Sequence, residues 1–170
     1  MRKIFYRVAM SLDGYIAGPH GEYDWIVSDP EIDFAAEFAR FDTVLVGRRT
    51  FETMVRVGQT EIPGLQVVVF SRTLRRSDSP KATIVADHGK EMLTVLRSTP
   101  GKDILLFGGA NLFHSLLKDG LVDAVEVSIV PVLLGGGIPM LPGPAARTQS
   151  ELTGQKTFKN GIVALRYVVR

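Results

Sequence analysis

The sequence predicts an α/β fold, with a mostly parallel central sheet flanked by helices and an antiparallel hairpin at the C-terminal end. Three observations carry this. Strand-like and helix-like segments alternate along most of the chain. The runs IFYRVAM (4–10), TVLVG (43–47) and LQVVVFS (65–71) are apolar on both faces, as strands covered by helices on each side must be. The segment 151–170 places Asn160-Gly161, a favoured hairpin turn, between two further strand-like runs. No linker interrupts the pattern, and 170 residues suit one ordinary core, so a single domain over residues 1–170 is expected.

The elements follow in order. Residues 4–10 form a central strand broken only by Arg7, and the glycine-rich stretch SLDGYIAGPHGEYDW that follows is read as a long functional loop. In SDPEIDFAAEFARF, Ser28 and Glu31 fit a capping box, Pro30 sits in the first turn, and Phe34, Phe38 and Phe41 fall at i, i+4 and i+7 as a buried stripe. Asp33, Glu37 and Arg40 share the same spacing and read as a solvated charged stripe. After strand 43–47, RRTFETMVRV is a helix ending near Gly58. Strands 65–71 and 83–87 precede an amphipathic helix, HGKEMLTVLRS, with Met92, Leu93 and Leu96 inward. DILLFGG is a strand and ANLFHSLLKDG a helix closed by Gly120. LVDAVEVSIVPVLLGGG is expected as one long strand bent near Pro131.

Composition narrows the chemistry. With no cysteine, disulfides, thiolate nucleophiles and cysteine-ligated metals drop out. His20, His88 and His114 are scattered, so no metal is expected. A net charge of +2 without a long basic stripe argues against nucleic acid as a partner. Arg75-Arg76 reads as solvated surface. No run is apolar enough for a membrane span, and the N-terminus lacks a signal-peptide pattern, so the cytoplasm is the expected setting.

In an open α/β sheet, ligands bind beyond the carboxyl ends of the parallel strands. The strands deliver Ser11-Leu12-Asp13-Gly14, Gly47-Arg48-Arg49-Thr50, Ser71-Arg72-Thr73 and Gly108-Gly109-Ala110-Asn111 to that edge. Two of these turns open helices, whose unpaired N–H groups and positive dipole ends attract anions. Arg48, Arg49 and Arg72 add fixed charge. Arg48-Arg49 in a first helical turn opposes the helix dipole, a small cost that favours a functional reading. The set fits a phosphorylated dinucleotide, without the Walker GxxxxGK[ST] pattern or the GxGxxG fingerprint. Each piece alone also reads as a turn or as solvated surface.

Four motifs, VAMSLDGYIAG, LVGRRTFETM, VVVFSRTL and LLFGGANLF followed by VSIVPVLLGGGIPML, run in order from residue 8 to 141. In these the chain resembles the dihydrofolate reductase superfamily and, within it, the RibD C-terminal (reductase) domain family of riboflavin biosynthesis. The resemblance implies a dihydrofolate-reductase-like fold, a homodimer, and NADPH-dependent hydride transfer to a small pyrimidine- or pterin-like heterocycle or an imine. It places Gly47, Arg48, Arg49 and Thr50 at the adenosine-side phosphates, and Ser71 and Arg72 at the 2′-phosphate. Gly108, Gly109, Ala110 and Asn111 would lie under the pyrophosphate, with Ala9 and Ile16 facing the nicotinamide carboxamide.

The substrate side departs from the family. Phe107 stands where riboflavin-pathway reductases carry a Glu before the diglycine, and Phe38 stands near an expected Arg. FETMVRVG replaces a Pro-x-Leu-x-x-Arg segment, and GPHGEYDWI stands in place of the Trp-Pro loop of dihydrofolate reductases. Ser11, Asp13, Trp25 and Phe107 are the candidate substrate contacts, with Asp13-Gly14 equally readable as a plain turn. Asp13 and Asp33 are the candidate acids. The alternatives are a genuine 5-amino-6-(5-phosphoribosylamino)uracil reductase and a non-catalytic NADPH-binding sensor.

Overall fold

In the computed structural model, which describes residues 1–75, 77, 81–86 and 89–170, eight strands form one sheet. These are β1 (Ile4–Ser11), β3 (Phe41–Gly47), β4 (Gln66–Phe70), β5 (Thr83–Val85), β6 (Asp103–Gly108), β7 (Ala124–Val130), β9 (Ser150–Thr157) and β10 (Val163–Val169). A two-stranded sheet pairs β2 (Tyr15–Ala17) with β8 (Ile138–Pro139). The helices are α1 (Phe34–Phe38), α2 (Arg48–Arg56), α3 (Lys90–Ser98) and α4 (Ala110–Lys118). Arg76, Asp87 and His88, which the sequence reading touched, lie outside the described residues.

The large sheet has the order β5-β4-β3-β6-β1-β7-β10-β9. The pairings from β5 to β7 are all parallel, and β10 is antiparallel to both β7 and β9. The expected mixed sheet with its C-terminal hairpin is therefore present. The strands are buried on two sides because the two faces carry separate apolar layers. Ile4 and Tyr6 of β1 pack with Leu93 of α3 and with Leu112, Phe113 and Leu116 of α4. The alternate residue Phe5 joins Phe51 and Met54 of α2 and, more loosely, Phe38 of α1. The period-2 alternation of β1 thus feeds two cores at once.

Several local expectations change. The loop after β1 contains β2, which is held by β8 rather than left free. The capping box at Ser28 does not form. Helix α1 begins six residues later, capped by Asp33, whose Oδ1 accepts the Ala36 N–H at 2.9 Å. With α1 only five residues long, Phe41 falls in β3 and Phe34 stays 50% exposed, so the buried helical stripe is not realised. The strand through Pro131 ends at Val130, because proline has no N–H to continue the ladder. The helices at 48 and 110, Leu93 as the buried anchor of α3, and Gly120 in the left-handed region after α4 are as expected.

The segment between β2 and α1 is tied across the sheet near the β9–β10 turn. Trp25 and Ile32 pack on Val130, Phe158 and Ile162. The buried Asp29 carboxylate accepts the backbone N–H of Glu31 at 2.9 Å and that of Asn160 at 3.4 Å.

One core group has an unmet demand. Tyr6 is fully buried and stacked on Phe113 at 3.8 Å, yet its hydroxyl has no hydrogen-bond partner among the described residues. Burial pushes its phenol pKa up. Tyr6→Phe keeps the stack and removes the orphaned hydroxyl, so it is expected to raise stability by up to about 1 kcal/mol. A urea titration with unchanged slope and a higher midpoint would show this, and a lower midpoint would refute it.

Candidate functional site

The chain path opens a gap at one place in the sheet. β3 leads through α2 to β4 on its outer side, whereas the adjacent β6 leads through α4 to β7 on the other side. The two helices pack on opposite faces. Strands whose connections depart in opposite directions leave a crevice at their carboxyl ends, the usual ligand position in such sheets. Here Val46 pairs with Gly108, so the Gly47 and Gly108-Gly109 turns are neighbours.

Both turns present a helix N-terminus without a side-chain cap. α2 is capped by Gly47 and α4 by Gly109, with no side-chain hydrogen bond at either cap and no acidic residue in either first turn. Their first N–H groups therefore remain available, and both dipoles point positive ends at the gap. The Gly108–Gly109 peptide is cis. A Cβ on Gly108 would sit 3.1 Å from Thr50 Oγ1, and one on Gly109 would sit 3.4 Å from it, so side chains there would crowd the crevice. Ser71 is buried, and its hydroxyl accepts the N–H groups of Thr73 (3.2 Å) and Leu74 (3.0 Å). It shapes the turn that presents the exposed Arg72. Arg48 reaches Thr73 Oγ1 at 3.4 Å and lies 3.7 Å from Glu52.

These residues line one cleft of 1720 Å³ together with Ala9, Ile16, Asp33 and Phe107. That exceeds the roughly 300–1,000 Å³ of an ordinary small-ligand pocket and leaves room for two ligands side by side. All twelve expected cofactor contacts, Ala9, Ile16, Gly47, Arg48, Arg49, Thr50, Ser71, Arg72, Gly108, Gly109, Ala110 and Asn111, lie on its wall.

The substrate candidates divide. Phe107 is on the wall, 39% exposed, with its ring 6.3 Å from Phe38. Ser11, Asp13 and Trp25 are not among the lining residues. The Trp25 indole N–H donates to the Glu22 carbonyl at 3.2 Å. Asp13 is an anchor. Its Oδ1 accepts the Ser11 hydroxyl at 2.6 Å and the Leu134 N–H at 3.1 Å, and its Oδ2 accepts the Gly135 N–H at 2.7 Å. Gly14 N–H closes the turn on Ser11 O at 3.0 Å. The Ser11 hydroxyl, followed by the two amides, holds the Asp13 carboxyl below the usual carboxylate range, which suits a clasp and not a proton donor. The clasp secures PVLLGGG against the first strand. At the end of that run, a Cβ on Gly137 would stand 2.2 Å from the Ala17 carbonyl oxygen, so only glycine fits. Asp33 lines the cleft, but its resolved contact is the cap of α1.

Sequence reading missed a charged floor on the α1 side of the sheet. Arg7 of β1, Glu126 of β7 and Arg166 of β10 stand in register across three adjacent strands. Arg7 Nε lies 2.9 Å from Glu126 Oε2, and Arg166 Nε lies 2.6 Å from Oε1. Arg40 Nη2 lies 3.1 Å from Oε1, and Arg7 Nη2 lies 3.0 Å from Glu37 Oε2. Glu37 and Arg40 are thus engaged with the sheet and do not form the solvated stripe expected of them. The available signal was a lone charge in the middle of each of three apolar strands, but their pairing needs the register.

The clasp makes a direct expectation. The lowered Asp13 pKa means that its bonds persist above the ordinary carboxylate value of about 4 and are lost as pH falls through the lower folded value. Amide NMR shifts of Leu134 and Gly135 should stay constant from neutral pH down to about 4 and titrate below it. In Asp13→Asn that titration should disappear.

Residues 2–164 match the RibD C-terminal domain family. The chain is 34% identical to the uncharacterized protein YyaP of Bacillus subtilis (strain 168), over 98% of this chain and 94% of that one. It is 27% identical to the riboflavin biosynthesis protein RibD of Corynebacterium ammoniagenes, over 84% of this chain but 47% of RibD, so it spans about half of that relative. Among solved structures, a Shewanella sp. PV-4 protein provisionally named for riboflavin biosynthesis superposes with a TM-score of 0.84 at 25% identity, covering 99% of both chains. The RibD of Acinetobacter baumannii superposes with a TM-score of 0.74 at 17% identity, covering all of this chain and 58% of that one. By sequence and by fold, the chain belongs to the RibD C-terminal domain family.

Proposed function

We propose that this protein is an NADPH-dependent reductase acting on a small planar heterocycle or imine. The observation that carries the reading is the convergence of two uncapped glycine-started helices and three arginines on one crevice. The residues present fit the cofactor: the gap between β3 and β6 supplies backbone donors for a pyrophosphate, and glycines 108 and 109 keep it open beside Thr50. Arg48, Arg49 and Arg72 are exposed at the outer end, where a 2′-phosphate distinguishes NADPH from NADH. Two helix termini alone would serve either cofactor, so the arginines carry the discrimination.

NADPH, when bound, supplies a hydride from its nicotinamide ring. The protein's part is orientation. Ala9 and Ile16, at the carboxyl end of β1 and in β2, form the wall against which the nicotinamide would lie. Phe38 and Phe107 offer ring faces to a flat acceptor next to it. In this reading Asp33 acts on α1, fixing the turn that carries Phe34 and Phe38, and the accompanying proton comes from water. Asp13 and Ser11 hold the loop behind the site. Trp25 belongs to the packed segment over the β9–β10 turn. Phe107 disfavours a ribose-phosphate contact at that position, since an apolar ring neither accepts a hydroxyl hydrogen bond nor pairs with a phosphate.

A cytoplasmic homodimer, with the run VSIVPVLL as a contact, completes the proposal. Leu133 in that run is 71% exposed, and no helix among the described residues is long and apolar enough to cross a membrane.

Fluorescence titration tests the cofactor assignment. Wild-type protein should prefer NADPH over NADH. At least one of Arg48→Ala, Arg49→Ala and Arg72→Ala should weaken NADPH about tenfold, roughly 1.4 kcal/mol, with NADH nearly unchanged. Equal affinities for the two cofactors in the wild type would refute the assignment.

A further inference from the structure

We infer that the acceptor carries an uncharged aryl arm beyond the ring that is reduced, held along Phe34 and the end of α2 at the outer part of the cleft. The inference rests on the reductase reading only in placing the reacting ring against Phe38 and Phe107. Its physical basis is where this protein leaves apolar surface uncovered. Single exposed apolar side chains occur on any protein and need no explanation. Here six of them, Tyr23, Ile26, Val27, Phe34, Val57 and Phe107, line one cleft. The first three come from the segment between β2 and α1, Phe34 opens α1, Val57 caps α2 and Phe107 belongs to β6. Apolar surface that four separate parts of the chain bring to one concave site marks a place where an apolar group binds.

The three phenylalanines form a row. Phe38 is the middle member, its ring centroid 6.3 Å from that of Phe107 and 6.5 Å from that of Phe34. Phe38 and Phe34 lie within 24° of parallel, whereas Phe38 and Phe107 meet at 59°. One flat heterocycle placed on Phe38 and Phe107 does not account for Phe34, which stays half exposed even though it stacks on Phe38. Its position is nonetheless fixed. The Asp33 carboxylate caps the helix directly before it, and Glu37 and Arg40 tie the other end of the α1 segment to the sheet. Phe38 packs in the same apolar cluster as Met54 of α2, and Val57 stands three residues beyond Met54 at the helix end. Arg56 runs back along that helix, its Nη2 donating to Thr53 Oγ1 at 3.1 Å. A sugar phosphate gains no hydrogen bond from Phe34 or Val57. An aryl group gains a ring face from the one and an apolar contact from the other.

Isothermal titration of the full chain, with and without saturating NADPH, tests this with two matched pairs: 6-benzyluracil against uracil, and 2-phenyl-1-pyrroline against 2-methyl-1-pyrroline. The aryl member of at least one pair should bind about tenfold tighter than its partner. Phe34→Ala should reduce that preference to about twofold or less, and Phe34→Leu should retain part of it, since apolar area remains without the ring face. Leu152→Ala removes a comparably exposed apolar side chain that is not among the lining residues of the cleft, and should leave the preference intact. Phe34 is half exposed, so the thermal midpoint of its variants should be little changed. No preference in either pair, or a preference that survives Phe34→Ala, overturns the inference. So does a Phe34→Ala variant that changes the sedimentation coefficient while keeping the aryl preference, because the surface is then a contact between two copies of the chain. Failure of the wild type to bind NADPH would instead overturn the reductase reading, and an aryl preference measured without cofactor that is lost in Phe34→Ala would still support the arm site.

Discussion

The site depends on one constraint, the adjacency of β3 and β6. Because β6 is inserted between β1 and β3, its carboxyl end lies beside that of β3 while the two chains leave on opposite faces. A crevice at that point cannot be filled by either following helix, since each starts at the rim and runs away from it. What remains at the rim are the least obstructed and most polar parts of both helices, their first N–H groups. Glycine at both caps keeps the crevice narrow-walled and accessible. The arginines of α2 then become intelligible. In an isolated helix their position in the first turn is unfavourable. Beside a crevice rimmed by two helix N-termini, they add to the same field as the helix ends.

The second half of the cleft is organised differently, by ions held within the sheet. Burying Glu126 next to β1 carries a desolvation cost that its neighbours must offset. The cross-strand register makes this possible, since Arg7, Glu126 and Arg166 stand side by side on the same face without any loop bringing them there. Such a floor is held by the sheet itself, because Glu126 is paired with both Arg7 and Arg166 across its two neighbouring strands. The segment before α1 is held differently, through Asp29 and a small apolar cluster.

How much of this could be read from the sequence follows from the range of the interactions involved. The apolar strands, the helices at 48 and 110 and the C-terminal hairpin rest on local periodicity and turn chemistry, and they were legible. So was the gathering of the Gly47, Ser71 and Gly108 turns at one cleft, because glycine-to-helix turns after strands imply where backbone donors go. α1 was misjudged because Asp33 competes with Ser28 as a cap, and the sequence alone does not rank two nearby capping residues. Asp13 was open between turn and contact because its partners, Leu134 and Gly135, lie more than a hundred residues away. The same applies to the charged floor, whose three strands are distant in sequence and meet only through the sheet order.

The two halves together bear on Phe107. Taken by itself, an aromatic residue directly before the diglycine points to an apolar substrate and away from the phosphorylated ligands of riboflavin biosynthesis. The floor qualifies that. Phe107 and Arg7 lie on the same face of neighbouring strands, so the apolar ring and the charged row share one wall of the cleft. The cleft wall is therefore not uniformly apolar but divided, with the Phe38 and Phe107 rings toward the β3–β6 crevice and charged side chains toward β7 and β10. Charged groups in this half of the cleft therefore stand on the sheet and not on the turn before the diglycine.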